Sequence, residues 1–193
     1  RLLATGARVT AIEIDDAPVL HLDEAFREEQ NAKQLLLHHD DALKADWPDD
    51  VTKVVANIPY QISSPLIKKL TRHLKAQTNP IAHVVLMLQL EFAQRLSMNH
   101  PADIGSLGLT VALDWDVEEH HIVPPHHFSP QPAVQSQVVG MKPHGREFPV
   151  DKRLLQQMIH HAFDQRRKKI RSSMKKAPRR ISRIKGWHAQ RWK

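Results

Sequence analysis

The tetrapeptide Asn57-Ile58-Pro59-Tyr60 follows a β-branched run and combines two hydrogen-bond acceptors with an aromatic ring. The Asn57 amide oxygen and the Pro59 carbonyl can accept both hydrogens of an exocyclic amino group. Pro59 keeps the turn rigid because its ring fixes φ. Tyr60 offers a ring face on which a base can stack. These groups could orient the amino group of an extruded adenine towards an electrophile, and the alternative is a strand-ending turn with a core tyrosine.

Acidic residues stand at the ends of two earlier predicted strands. Glu13 ends the first apolar run, and Asp41 follows the second. Ligands of open parallel sheets bind where the carboxyl ends of the strands converge. Because a single Asp after a strand is more often a cap or turn residue, the prediction of a ligand site depends on the ordered set Glu13, Asp41 and Asn57.

Short apolar runs alternate with helical patterns over the first 150 residues, which predicts βαβ units and a mainly parallel sheet. The Ile81–Leu88 run is almost continuously apolar, as expected of a strand buried on both faces. Strands are predicted at Arg8–Ile14, Gln34–His38, Val51–Ala56, Ile81–Leu88, Val117–Val123 and Val134–Met141. Helices are predicted at about Pro18–Gln30, Pro65–Leu74, Phe92–Met98 and Leu107–Trp115.

Composition excludes several classes of protein. The 193 residues are 41% hydrophobic and 25% charged, as in globular proteins, and the length fits one domain plus a small appendage. The absence of cysteine excludes disulfides, thiolate catalysis and Cys-based zinc sites. No apolar stretch approaches the roughly 18 residues of a membrane span, and no leader peptide opens the sequence. We therefore expect a cytoplasmic protein.

The net charge of +7 is concentrated at the carboxy-terminus. Between Arg166 and Lys193 there are thirteen Lys or Arg and no Asp or Glu, so the preceding residues are net acidic. Such a block is typical of polyanion binding, because each neutralised phosphate releases counterions. The alternatives are a solvated tail and, less favoured, a membrane-surface segment.

Taken in order, these motifs resemble the rRNA adenine N6-dimethyltransferase family, the KsgA-type enzymes related to the Erm resistance methylases. The segments that carry the resemblance are VTAIEID (9–15), VVANIPYQISSPL (54–66), LMLQLEFAQRL (86–96), VPPHHFSPQPAVQSQVV (123–139) and FDQRRKKIRSSM (163–174). The resemblance implies an α/β fold with the Rossmann-like sheet of class I S-adenosylmethionine-dependent methyltransferases. It assigns residues 1–143 to the catalytic domain and 144–193 to a basic, helical RNA-binding region.

The resemblance also implies residue roles. Glu13 matches the residue that grips the ribose hydroxyls of S-adenosylmethionine, and Asp41 matches the one that receives its adenine amino group, with Asp40 as the fallback. The full cofactor-binding set is Glu13, Ile14, Asp41, Ala42 and Asn57. The catalytic set is Asn57, Pro59, Tyr60 and Phe128, where Phe128 closes on the other face of the target adenine. Ile58 is expected to be a packing residue, and Gln89 and Glu91 to shape the site or cap a helix.

The implied activity is dimethylation of two adjacent adenosines near the 3′ end of small-subunit rRNA, by a monomer acting on a pre-ribosomal particle. The implied RNA contacts are Arg166, Arg167, Lys168, Lys169 and Arg171. One alternative is a non-catalytic RNA-binding assembly factor that keeps the fold. The others are methylation of large-subunit rRNA or of DNA adenine; DNA enzymes usually carry a second proline where this chain has Ile58.

Two features of the sequence depart from the family pattern, and one further motif lies outside it. The family's glycine-rich loop and first strand are absent, so we expect an amino-terminal truncation and poor cofactor binding by these 193 residues alone. The segment Asp103–Leu107 lacks the basic residue that often precedes the helix there. Four His-His pairs occur, but adjacent strand residues point to opposite faces, so we expect no metal site.

Overall fold

The computed structural model describes residues 1–76, 81–164, 168–178 and 181–183. Within these residues the strands are β1 (Val9–Glu13), β2 (Leu35–His39), β3 (Lys53–Asn57), β4 (His83–Gln89), β5 (Trp115–Val123) and β6 (Ser136–Pro143). The helices are α1 (Asp16–Ala25), α2 (Arg27–Asn31), α3 (Ser63–Ala76), α4 (Leu90–Ser97), α5 (Ser106–Val111), α6 (Lys152–Phe163) and α7 (Ile170–Ser173). The chain divides into two compact units, Arg1–Val51 with Ile62–Asn79, and Thr52–Gln61 with Pro80–Lys193.

The first unit contains a parallel pair of strands. β1 and β2 are hydrogen-bonded in register from Val9 opposite Leu35 to Glu13 opposite His39. α3 is amphipathic: Leu66, Ile67 and Leu70 are buried on one face, whereas the lysine at 68 points to solvent. This helix and the strand pair carry the parts of the unit that bear on the candidate site.

The second unit contains a four-stranded sheet in the order β3-β4-β6-β5. β3 and β4 are parallel, whereas β6 runs antiparallel to both β4 and β5. β3, β4 and β5 therefore run in one direction and β6 runs against them, so the sheet is mixed, and the expectation of a mainly parallel sheet holds in this unit for three of its four strands. The reason lies in the connection from β5 to β6, which is a loop that returns the chain directly alongside β5.

The core of the second unit lies on one face of this sheet. Alternate apolar residues on this face are 0% exposed: Val84, Leu86 and Leu88 of β4, and Val139 and Met141 of β6. The intervening residues of β4 are partly exposed. The prediction that this strand is buried on both faces is thus wrong: its two faces differ, although both carry apolar side chains.

Two predicted helices have different bounds in the structure. The helix expected at Leu107–Trp115 ends at Val111, and Trp115 is instead the first residue of β5, 1% exposed. The helix expected at Pro18–Gln30 is divided into α1 and α2 at Phe26, whose φ of −123° departs from helical geometry. In both segments the apolar pattern continues through a change of backbone conformation.

Candidate functional site

The carboxyl edge of the first unit's strand pair brings together Glu13 and Asp41. Glu13 ends β1 opposite His39, and the Glu13 carbonyl accepts a hydrogen bond of 2.9 Å from the backbone N–H of Asp40. Asp41 is the next residue. The predicted convergence of these two acidic residues on one edge is therefore present within this unit.

The Glu13 carboxylate uses one oxygen to bind its own chain. Oε1 accepts hydrogen bonds from the backbone N–H groups of Ile14 at 2.8 Å and Asp15 at 3.0 Å. Within the described part of the chain, no hydrogen bond reaches Oε2. That oxygen has two lone pairs for external donors. The Ile14 side chain beside it is 59% exposed.

Asp41 lies in a turn that its own side chain and carbonyl stabilise. Its Oδ1 accepts from the Leu43 N–H at 2.8 Å, and its carbonyl accepts from the N–H groups of Lys44 and Ala45, each at 2.8 Å. This side-chain-to-backbone bond is an Asx turn. The other oxygen, Oδ2, lies 3.7 Å from the exposed Lys44 Nζ. Asp41 is partly exposed, so Oδ2 is an acceptor that a ligand can reach.

In the second unit, the turn after β3 presents alternating residues to solvent. Asn57 is the last residue of β3, opposite Met87 of β4, and is exposed. Ile58 is only 8% exposed, as expected of a packing residue, and Pro59 is exposed again. The buried isoleucine thus anchors the turn while the two residues proposed as acceptors face outward.

Tyr60 contacts β6 at the same edge of the sheet as the β3 turn, because Asn57 pairs with Met87 and Gln89, two residues further along β4, pairs with Ser136. It opens a short 3-10 turn, and its hydroxyl lies 2.7 Å from the Ser136 Oγ. Ser136 is the first residue of β6 and is 0% exposed. Ser136 is not among the residues that the sequence motifs single out, because its contact with Tyr60 spans 76 positions and depends on strand pairing.

Phe128 lies in the loop between β5 and β6, after a 3-10 turn at Pro125–His127. Its backbone N–H donates to the Pro125 carbonyl at 3.0 Å, and its side chain is half-buried. The loop is closed where Val123 pairs with Ser136. The serine that contacts Tyr60 is therefore also the end of the loop that carries Phe128.

The two remaining motif residues differ in exposure. Gln89 ends β4 opposite Ser136 and occupies the N-cap of α4, but its side chain makes no capping hydrogen bond. Glu91 is exposed in the first turn of that helix. The helix-capping role considered for Gln89 is not carried by its side chain, and the site-shaping role stays a prediction.

Of the predicted RNA contacts, Arg166 and Arg167 lie outside the described residues. Lys168, Lys169 and Arg171 are exposed, and Lys169 is the N-cap residue of α7. These three cations are thus accessible to a polyanion. In the described ranges, no group of three or more His, Asp or Glu is arranged to hold a metal ion. None of the described helices is both long and apolar enough to span a bilayer.

A family model for ribosomal RNA adenine dimethylase matches residues 1–185. The chain belongs to this family. It is 38% identical over 178 residues to the probable ribosomal RNA small subunit methyltransferase A of Haloarcula marismortui, covering 91% of this chain and 59% of that protein. It is 37% identical over 182 residues to the ribosomal RNA small subunit methyltransferase A of Pseudomonas putida, covering 90% and 66%. The chain thus spans about two thirds or less of these curated relatives.

Solved structures agree with the fold class. A dimethyladenosine transferase from Plasmodium falciparum superimposes with a TM-score of 0.74 at 28% identity, covering 87% of this chain and 59% of that one. The 23S rRNA methyltransferase ErmE superimposes with a TM-score of 0.68 at 23% identity, covering 90% and 69%, which supports the fold alone. The predicted α/β methyltransferase fold is therefore confirmed.

Proposed function

We propose that this chain carries the catalytic turn and the cofactor-binding edge of an S-adenosylmethionine-dependent rRNA adenine N6-dimethyltransferase. Family membership supports the class of reaction. The observation that carries the proposal is the turn after β3, where Asn57 and Pro59 face solvent on either side of buried Ile58. A turn anchored in this way leaves both residues accessible to a ligand.

The proposed task of these residues is to orient an amino group. The N6 amine of adenine is a poor nucleophile because its lone pair is delocalised into the ring. The Asn57 amide oxygen and the Pro59 carbonyl accept the two N6 hydrogens, which returns electron density to the nitrogen and aligns its lone pair. Tyr60 and Phe128 stack on the two faces of the extruded base.

The first unit is proposed to hold the cofactor. When bound, S-adenosylmethionine supplies an electrophilic methyl group on its sulfonium. Its ribose hydroxyls and adenine amino group are donors, and the acceptors at this edge are Glu13 Oε2 and Asp41 Oδ2, so the residues fit the group. Ile14 and Ala42 supply apolar contacts beside these acceptors, and Asn57 is also proposed to reach the cofactor.

We propose small-subunit rRNA within a pre-ribosomal particle as the substrate, at two adjacent adenosines near its 3′ end. The names of the Haloarcula and Pseudomonas relatives support this choice. In the proposed organisation, residues 1–143 are catalytic and 144–193 bind RNA, where Lys168, Lys169 and Arg171 contact phosphates with Arg166 and Arg167. The enzyme is proposed to act in the cytoplasm as a monomer.

The test is Asn57→Ala in the protein encoded by the whole reading frame that contains these 193 residues. Methyl transfer to small-subunit particles lacking the modification should fall about 100-fold or more, by analogy with removing one preorganised group from an active site. Binding of rRNA and of S-adenosylmethionine should change little, because Asn57 is exposed and only one of several proposed cofactor contacts. Gln61→Ala, an exposed residue just beyond the turn, is the control.

The same assay separates the alternatives. Rapid transfer by the Asn57→Ala variant contradicts the assigned turn. Tight rRNA binding without transfer by the unchanged protein indicates a non-catalytic assembly factor. Dimethyladenosine formed on naked large-subunit rRNA, but not on small subunits, indicates a resistance-type methylase; mass spectrometry of the nucleosides identifies the product in each case.

A further inference from the structure

Within the first unit, Lys69 of α3 reaches across to the segment Asp41–Trp47. Its Nζ donates a hydrogen bond to the Ala42 carbonyl at 2.9 Å and a second to the Ala45 carbonyl. The ammonium also lies 4.8 Å from the centre of the Trp47 ring, within the range of a cation–π contact. One side chain therefore binds two carbonyls and one aromatic ring of the same short segment.

Trp47 strengthens this arrangement from within the segment. Its Nε1 donates to the same Ala42 carbonyl at 3.1 Å, so that oxygen accepts two hydrogen bonds. The edge of its ring meets His73, one helical turn beyond Lys69, with ring centres 5.4 Å apart. The segment is thus held against α3 at both of its ends.

The Lys69 side chain is also partly buried. Burial lowers its pKa from the ordinary value of 10.5, an effect opposed by Asp46, Asp41 and Asp40 and reinforced by Arg72. Lys68, the preceding residue on the same helix, is exposed. Two adjacent lysines therefore differ in exposure, and Lys69 is the one whose ammonium is hydrogen-bonded to the segment.

The segment begins with Asp41, whose Oδ1 is fixed by the Leu43 N–H and whose Oδ2 is the outward acceptor. The carbonyl held by Lys69 belongs to the adjacent residue, Ala42. We infer that Lys69 is a positioning residue for the adenine end of the cofactor site, setting the direction of the Asp41 carboxylate. This inference rests on the proposed function, because that proposal assigns Asp41 to the adenine amino group.

The experiment compares Lys69→Met with the matched control Lys68→Met in the protein from the whole reading frame. The first measurement is amide hydrogen exchange of the segment Asp41–Trp47. The second is the ratio of the dissociation constants for S-adenosylhomocysteine and S-inosylhomocysteine, which carries an oxygen in place of the adenine amino group. A general loss of stability weakens both ligands together, whereas a misdirected Asp41 carboxylate changes their ratio.

Lys69→Met should raise the exchange rate of the segment about tenfold and reduce the preference for the adenine ligand by about tenfold. Lys68→Met should match the unchanged protein in both measurements. Trp47→Phe keeps an aromatic ring beside Lys69 but removes the Nε1 hydrogen bond and part of the ring surface, so it should give a smaller change in the same direction. This second variant keeps the inference testable if Lys69→Met does not fold.

Each other outcome is decisive. Unchanged exchange in a folded Lys69→Met variant overturns the inference, and so does faster exchange with an unchanged ligand ratio. If the unchanged protein methylates rRNA but binds both ligands equally, the inference fails while the proposed function stands. If it binds neither ligand and transfers no methyl group, both fail.

Discussion

The hydroxyl oxygens of Tyr60 and Ser136 lie 2.7 Å apart, although the residues are separated by 76 positions in the sequence. The contact joins the turn after β3 to the first residue of β6. Because Ser136 is 0% exposed, water does not compete for its hydroxyl. Ser136 also closes the loop that carries Phe128. One buried hydroxyl therefore connects the two aromatic residues proposed to hold the target base.

Because the two hydroxyls share one hydrogen bond, we predict that Tyr60→Phe and Ser136→Ala slow methyl transfer by removing the same contact. Each should slow methyl transfer about fivefold, the effect of losing a hydrogen bond worth about 1 kcal/mol, while the stacking ring is kept. The double variant should be no slower than either single variant. Single-turnover transfer rates measure this, with cofactor titration as the control that should not change. Additive losses would show that the two hydroxyls act independently.

The close packing around Gly108 of α5 leaves no room for a larger residue at this position. A Cβ at this position would meet the Met98 side chain and lie 2.7 Å from the Arg95 carbonyl. Gly108→Ala should therefore lower the free energy of unfolding by about 1 kcal/mol, because overpacking of about 1–3 kcal/mol exceeds the gain of about 1 kcal/mol in helix propensity. Denaturant unfolding provides the measurement.

The matched control is Gly145→Ala, because a Cβ there has nothing within 4 Å. Its effect on the free energy of unfolding should stay within about 0.5 kcal/mol. Equal stabilities for the two alanine variants would mean that the α4–α5 contact adjusts without cost.

His73 predicts a pH dependence of stability. Its Nε2 is buried without a hydrogen-bond partner among the described residues, and burial, the largest cause, lowers its pKa below the ordinary 6.5. Asp49 opposes this lowering and Lys69 adds to it. Below pH 6.5 the unfolded chain therefore binds more protons at this residue than the folded chain does. This contribution to stability is present above pH 6.5 and is lost as the pH falls from there towards the lowered pKa.

His73→Phe should remove this contribution while keeping an aromatic ring against Trp47. As the pH falls from 7.5 to 5.5, the unchanged protein should lose more unfolding free energy than the variant does. Urea unfolding at the two pH values gives this difference. A difference that does not depend on pH would contradict the assigned environment of the histidine.

The positions of the strands were predictable because their signals are local. Short apolar runs, most of them rich in β-branched residues, predict each of the six described strands to within two residues at each end. The error at Trp115 has the same origin: an apolar run that leaves a helix and enters a strand carries no periodicity that separates the two. The direction of β6 depends on which strand it pairs with, which no local pattern encodes.

The residues of the candidate site also differ in whether the sequence alone could indicate them. Asn57, Pro59 and Glu13 could be proposed as site residues because each belongs to a short local motif at the end of a predicted strand. Ser136 and Lys69 could not be recognised, because each acts on a segment more than twenty positions away through a register or a helix placement. The residues proposed to bind the ligands could thus be predicted from the sequence. The residues that position them could be found only from the structure.

The exposed cations of the carboxy-terminal region predict a salt-dependent affinity for rRNA. Replacing Lys168, Lys169 and Arg171 together by Ala should weaken binding and reduce the slope of log affinity against log salt by about one for each phosphate that is no longer neutralised. Cofactor affinity should not change, because these residues are outside the proposed cofactor-binding set. The control replaces three exposed cations of the first unit, Arg27, Lys68 and Arg72, which removes the same charge elsewhere. Filter binding at several salt concentrations measures both slopes, and equal slopes for the two triple variants would show that net charge, not this surface, binds the RNA.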